Sequence, residues 1–418
     1  YDGPAGALKS TFSVAPYADP GAIVWRYEGA TGLRVDAQGD LQIALGEGRA
    51  PLVERAPVAW QEIDGRRVPV AVRYALRGDG AVGFALGGYD RAHPLTIDPT
   101  LELSSYLGGA GADRIRAVDI DPATGDIFVA GETYSVPFPG SPTEIGPIGP
   151  GLSLNIFVVR IAADGSGTRY RTVIGGSDED YAYGIALSGD SANVVGFTDS
   201  GNLPTAGTPY QANYGGNRDM FALRLDGSGS LVYSTYLGGS GQDMAYDIAA
   251  RGDTLFIAGM TEGAFPDAVP PVGDSDAIVV RLDVTAGPAV QYVTRIGGAG
   301  ASAAMAIAID DAEDVYIIGT TSSSGLPLIS PYQATFGGNL DAFIAKLDAD
   351  GTLVYSSYLG GAGADWGIDV AVDPLGDLVY LAGHTGSPNF PAPDVARGSD
   401  AFIAKLDLAT NTLVYSRL

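Results

Sequence analysis

From about residue 101 onward, apolar residues gather into runs of 5–8, rich in Val, Ile, Tyr and Phe and separated by Gly, Pro, Asp and Asn. Such runs predict short β-strands, because β-branched and aromatic side chains suit a pleated surface while the intervening residues favour tight turns. No stretch combines a 3.6-residue apolar period with caps, so helices are expected to be nearly absent. Before residue 100 the pattern is different. Val68, Val70, Val72, Tyr74 and Leu76 alternate with polar positions, as in a half-buried strand, and further strand-like runs fall at 22–27, 41–45, 58–63 and 81–86.

The later runs recur in a fixed order. Glycine pairs stand at Gly108-Gly109, Gly175-Gly176, Gly238-Gly239, Gly297-Gly298 and Gly360-Gly361, 59 to 67 residues apart. They open the texts GGAGAD, GGSDED, GGSGQD, GGAGAS and GGAGAD. A β-branched residue follows each time, at Val118, Ile185, Ile248, Ile307 and Val370. Next comes an apolar run ending in Gly-x-Thr, an aromatic-Pro or Leu-Pro pair, a run with one basic residue, and a closing run with Tyr. Four strands in a unit of about sixty residues, repeated in tandem, fit a propeller blade. The fold expected is all-β: a five-bladed β-propeller over 101–418, with units near 108–174, 175–237, 238–296, 297–359 and 360–418. A small β-sandwich-like domain at 1–100 precedes it.

Composition narrows the chemistry. The net charge of −25 argues against wrapping nucleic acid or docking on anionic lipid, both of which need clustered Lys and Arg. With no Cys there are no disulfides, zinc–thiolate sites or thiol nucleophiles, and only His93 and His384 offer imidazole. No window approaches the ~20 apolar residues of a membrane-spanning helix. Tyr1 opens directly into strand-like sequence with no signal peptide, as in a processed secreted or a cytosolic protein.

The unit LVYSTYLGGSGQDMAYDIAA…LFIAGMT…FP…DAIVVRLD resembles the bacterial SBBP (seven-bladed β-propeller) repeat family over about 101–418. The preceding segment, with SVAPYADPGAIVWRYEGATGLRVD, resembles the β-rich domain common before such repeats. The resemblance implies a secreted or bacterial cell-surface protein without established activity, and it carries over no catalytic residues. Five units stand here against the seven in the family's name, and the upstream domain is expected to start partway through.

Candidate sites come in two kinds. Asp113, Asp180, Asp243 and Asp365 occupy one repeated position, with Ser302 in the odd unit. Propeller symmetry would ring them around one channel mouth, where they could hold calcium; the competing reading is that each caps its own Gly-rich turn. The calcium nonapeptide of β-rolls is excluded, because it must recur every nine residues. Asp219, Asp276, Asp341 and Asp400, each five residues before a basic residue, read as contacts between turns and neighbouring blades. Function is expected where repeats differ: Glu132, Phe197, Met260, Thr320 and His384 inside Gly-x-Thr, and Arg114, Tyr181, Met244, Ala303 and Trp366 after the ring position. Arg114, Tyr181, Met244 and Trp366 are the candidate ligand-binding residues, and an exposed Tyr181 or Trp366 could stack on a sugar ring.

No nucleophile elbow, phosphate loop or sialidase Asp box is present, so a non-enzymatic scaffold or interaction module is expected, with a subunit of a larger extracellular assembly as one form of that role. Its partners would be other proteins or cell-surface glycans, or further copies of itself. The alternative is a carbohydrate-active propeller. Two finer expectations concern the backbone. Gly238 or Gly360 should adopt φ > 0, and the surplus closing run at 101–107 should join the N-terminal domain rather than the fifth blade.

Overall fold

The computed structural model describes residues 12–27, 30–44, 52–54, 56–63, 66–78, 80–98, 101–102, 107–148, 153–163, 167–265, 270, 272–392 and 398–418. These residues form strands and turns, with one short 3-10 turn at Pro20–Ala22. The chain divides into two compact units: Tyr1–Leu107 with Pro122–Ile127 and Ile161–Thr168, and the remainder.

The first unit contains three small antiparallel sheets. One orders Phe12–Val14, Leu95–Asp98, Val58–Ile63 and Arg66–Val70; another orders Leu101–Glu102, Leu52–Glu54, Leu41–Ala44 and Gly32–Val35. The third orders Val24–Trp25, Val82–Leu86 and Val72–Leu76. The alternating stretch from Val68 to Leu76, which reads as one strand, is two strands in different sheets, parted at Ala71. Pro69 lies in the edge strand Arg66–Val70, where a missing N–H costs no ladder bond. Leu101 pairs with Glu54 and Glu102 with Val53, so the start of the surplus run adds to this unit as expected. Leu103 and Tyr106, whose partners would identify the rest of that run, lie outside the described residues.

Among its described residues, the second unit forms five sheets in sequence order. Their inner strands are Asp113–Ile120, Asp180–Ser188, Asp243–Arg251, Ser302–Ile309 and Asp365–Val372. Each sheet is four antiparallel strands from one repeat; the first gains Thr143–Ile145, parallel to its closing strand. In the fifth, Thr412–Arg417 is the closing strand, pairing Arg417 with Ile403, so that repeat completes itself. A bulge recurs in the inner strands, between Ala182 and Gly184, Ala245 and Asp247, Ala304 and Ala306, and Gly367 and Asp369. It lets the Asp at the strand start and the β-branched residue after the bulge face the directions their partners require.

The core lies between sheets. Ala186, Val195, Ala222 and Tyr233 of the second sheet pack with Ile248, Ile257, Ile278 and Val280 of the third, and analogous clusters join the other successive pairs. The basic residues of the third strands bridge in the same sense. Arg224 reaches Asp253 of the next sheet at 2.7 Å, and Arg281 reaches Glu313 at 2.6 Å.

Gly238 and Gly360 do not have positive φ, contrary to expectation. They are glycine because space is lacking. A Cβ on Gly238 would lie 2.7 Å from Asp219 Cγ and 2.9 Å from Asp243 Oδ2, and one on Gly360 would lie 2.7 Å from Asp341 Cγ. The next residue is tighter still: a Cβ on Gly239 would stand 1.5 Å from the Ala264 carbonyl oxygen. Gly239→Ala should therefore destabilise the chain by about 3 kcal/mol in denaturant titration, because backbone rather than a mobile side chain must give way. A loss below about 1 kcal/mol would show that the turn has room.

Candidate binding face

The repeated Asp opens the inner strand and faces the Thr of Gly-x-Thr across the ladder: Asp180 opposite Thr198, Asp243 opposite Thr261, Asp365 opposite Thr385. Asp180 accepts the Gly176 N–H at 2.7 Å, the Ser200 hydroxyl at 3.2 Å and the Thr198 hydroxyl. Asp365 accepts the Gly361 N–H at 2.8 Å, the Ser387 hydroxyl at 2.7 Å and the Thr385 hydroxyl. Asp113 repeats the pattern with Gly109, Ser135 and Thr133, and Asp243 accepts the Gly239 N–H at 2.7 Å. These carboxylates tie glycine turns to their own sheets. The calcium ring expected from Asp113, Asp180, Asp243 and Asp365 is not assembled, and among the described residues no three His, Cys, Asp or Glu cluster to hold a metal ion. In Asp113, Asp180 and Asp365 both oxygens already serve turn and Thr donors, whereas in Asp243 only Oδ2 does so.

The structure also joins two Asp sets that the sequence presents separately. Asp219, opening a third strand, and Asp243, opening the next inner strand, both crowd Gly238; Asp341 and Asp365 do the same at Gly360. Burial, and then the charge of Asp243, pushes Asp219 up to about 6. Burial and the charge of Asp365 likewise push Asp341 up to about 6. Burial also pushes Asp180 and Asp243 up to about 6. In the odd unit, where Ser302 replaces the second Asp, Asp276 has Arg295 at 3.1 Å instead. The pairing could have been read from this exchange only by knowing that adjacent repeats meet at the glycine pair.

The varying positions meet as facing pairs. Tyr181 is opposite Phe197 with ring centroids 4.7 Å apart, and Met244 is opposite Met260. Ala303 is opposite Thr320, and Trp366 is opposite His384 with centroids 4.3 Å apart. In the first sheet the facing residues form an ion pair, Arg114 Nη1 to Glu132 Oε1 at 3.2 Å. Variation is thus coordinated across the ladder, each repeat choosing its own pair at the same strand end.

Two of the four candidates share a cleft. Arg114 and Tyr181 border a hollow of about 260 Å³ with Glu132, Tyr134 and Leu154. Glu132 is buried and held by Arg116, whose Nη2 stands 2.7 Å from Oε1 and whose Nε stands 2.9 Å from Oε2. Those bonds hold the Arg116 guanidinium well above its usual pKa, and the group lies 4.7 Å from the centre of the Tyr183 ring. Burial, then the hydrogen bond to Glu179, raises the Tyr181 phenol. Arg218 pairs with Asp199 at 2.8 Å, covers the Phe197 ring at 4.7 Å and donates to Met244 Sδ at 3.8 Å. Met244 is therefore linked to the aromatic group, whereas Trp366 stacks on His384 and does not line this cleft. Arg116, Glu179, Tyr183 and Arg218 escaped the sequence reading. Arg116 had a signal, since it lies two residues beyond Arg114 in a strand.

Comparison with known proteins places these units. Residues 1–100 match a domain of unknown function, DUF7948, and residues 291–327 and 354–391 match the SBBP beta-propeller repeat. No curated protein sequence matches the chain. Among solved structures, it is similar to hydrazine synthase of Kuenenia stuttgartiensis at 11% identity, covering 92% of this chain and 78% of that one, with a TM-score of 0.38. It is similar to the Pan2 WD40 domain of Neurospora crassa at 9% identity, covering 73% and 65%, with a TM-score of 0.40. It is also similar to a periplasmic gluconolactonase of Pseudomonas aeruginosa at 11% identity, covering 87% and 95%, with a TM-score of 0.32. The family matches thus show SBBP beta-propeller repeats at 291–327 and 354–391 and a DUF7948 domain at 1–100, in keeping with the all-β sheets described above.

Proposed function

We propose that this protein is a non-enzymatic scaffold or interaction module, secreted or held at a bacterial cell surface, which binds other proteins or cell-surface glycans through the face where its repeats differ. The observation that carries this reading is the division of labour within each repeat. Positions held in common secure turns and inter-sheet packing, while the facing pairs at one strand end vary and, in the first two sheets, border an Arg- and Tyr-lined cleft. Aromatic and Arg side chains there suit recognition, since they offer large contact area and directed donors at low entropic cost. A glycosidase reading needs two carboxyl groups available to the substrate. In this cleft Glu132 is engaged by Arg116 and Asp113 by its own turn, which favours binding over turnover.

The test exposes the immobilised intact chain to bacterial envelope glycans and envelope proteins, and separately to chromogenic glycosides. Retention without chromophore release, weakened at least ~10-fold in Tyr181→Ala, is the expected result. Glycoside turnover abolished by Glu132→Gln would establish the carbohydrate-active alternative instead.

A further inference from the structure

The cleft between the first two sheets has a charge arrangement that selects among ligands. Of the facing pairs at this strand end, only Arg114 and Glu132 carry permanent charge; the others are Tyr181 with Phe197, Met244 with Met260, Ala303 with Thr320, and Trp366 with His384. These charges are not matched one to one. Arg116 already holds Glu132 with a fork, Nη2 to Oε1 at 2.7 Å and Nε to Oε2 at 2.9 Å. Arg114 reaches the same Oε1 only end-on, through Nη1 at 3.2 Å. Its Nε and Nη2 have no partner among the described residues, and its side chain is 66% exposed. One guanidinium is therefore surplus, with an edge of paired donors left open at the cleft.

The other two carboxylates nearby do not compete for it. Asp113 accepts the Gly109 N–H and the Ser135 and Thr133 hydroxyls. Glu179 accepts the phenols of Tyr134, at 3.2 Å, and Tyr181. One carboxylate thus fixes two aromatic rings, one from each sheet, and keeps lone pairs for further donors. The frame beneath is backbone: Tyr134 donates its N–H to Ala112 O at 2.9 Å, and Asp180 of the second sheet donates to Leu154 O of the first at 2.9 Å. A hollow of about 260 Å³ is thereby held open before any ligand arrives, which lowers the ordering cost of binding.

Building on the binding-face reading, we propose that this cleft binds an acidic glycan of hexuronate units. Arg114 donates Nε and Nη2 to one sugar carboxylate, the apolar face of a pyranose ring lies on Tyr181 or Tyr134, and Glu179 accepts from ring hydroxyls. A uronate joins all three features in one unit: a planar carboxylate, a C–H face and hydroxyl donors. A run of acidic side chains from a protein fits less well. It lacks the hydroxyl donors, and it brings further negative charge against Glu179, Asp113 and a chain of net charge −25.

The test is calorimetric titration of the intact chain with trimers of galacturonate and of glucuronate. Each is compared with its methyl ester, which keeps the rings and hydroxyls and removes the charge. At least one acid trimer should bind ~10-fold or more tightly than its ester. Arg114→Gln should melt with the parent and erase that preference, Arg114→Lys should keep part of it, and Tyr181→Ala should weaken acid and ester alike. Equal affinity for acid and ester, a preference that survives Arg114→Gln, or no binding of any trimer would overturn the proposal. So would tighter binding of hexaglutamate than of either uronate, because the cleft would then serve an acidic protein. Each of these results leaves the binding face itself standing if Tyr181→Ala weakens retention of envelope partners; unchanged retention there would remove that reading as well.

Discussion

Asp365→Ala should destabilise the protein by about 3 kcal/mol, the largest effect expected of a single polar substitution here. The carboxyl is fully buried and accepts bonds from Gly361, Ser387 and Thr385, so truncation leaves three donors without a partner. Each buried donor left unmade costs about 1–3 kcal/mol. Relief of the repulsion with Asp341 offsets part of that sum. Asp365→Asn keeps the acceptor oxygen and should lose less than half as much. Denaturant titration reads both, and calcium or a chelator should move neither midpoint. A midpoint that falls in chelator for the parent chain and not for Asp365→Ala would return the carboxylate to metal binding.

The second large effect is with pH. Asp180, Asp219, Asp243, Asp247 and Asp341 are each pushed up to about 6 by burial, from an ordinary 3.8. Between about 3.8 and 6 the folded chain therefore holds more protons than the unfolded one, and stability falls as pH rises through that window. The net charge of −25 adds in the same direction, since loss of protons strengthens self-repulsion. Melting should be on the order of 5 °C higher at pH 5 than at pH 7.5. Below about pH 4 it should fall again, because exposed carboxylates such as Asp226 and Asp283, held low by hydrogen bonds, begin to protonate. A flat profile from pH 5 to 7.5 would mean that the buried pairs are ionised without penalty.

Strand order and sheet membership in the repeats were legible because apolar runs and glycine pairs recur in phase, and each run became one strand of one sheet. The break at Ala71 was not legible, since two strands meeting at a corner share one continuous alternation. Inter-sheet chemistry was hidden for a different reason. Asp219 and Asp243 sit in different repeats, and nothing in either repeat alone shows that they meet at Gly238. Ile403 reads like Ile344 in sequence and differs only in what covers it. At the candidate face the varying residues were visible as variation, but their cross-strand pairing needed the register, as Tyr181 opposite Phe197 shows. The glycine pairs were rightly singled out but for the wrong reason: crowding by carboxyl groups and carbonyls, rather than positive φ, excludes a side chain there.

The central claim is that shared positions build the frame and differing positions bind. It is tested most directly by measuring melting temperature and retention on envelope glycans and proteins for two variants of the intact chain, Arg114→Ala and Asp180→Ala. Arg114 is 66% exposed and its ion pair is worth under about 1 kcal/mol, so its variant should melt with the parent and lose at least ~10-fold in retention. Asp180→Ala should melt well below the parent and, where still folded, retain partners as the parent does. Full retention by Arg114→Ala, or loss of retention in folded Asp180→Ala, would contradict the account.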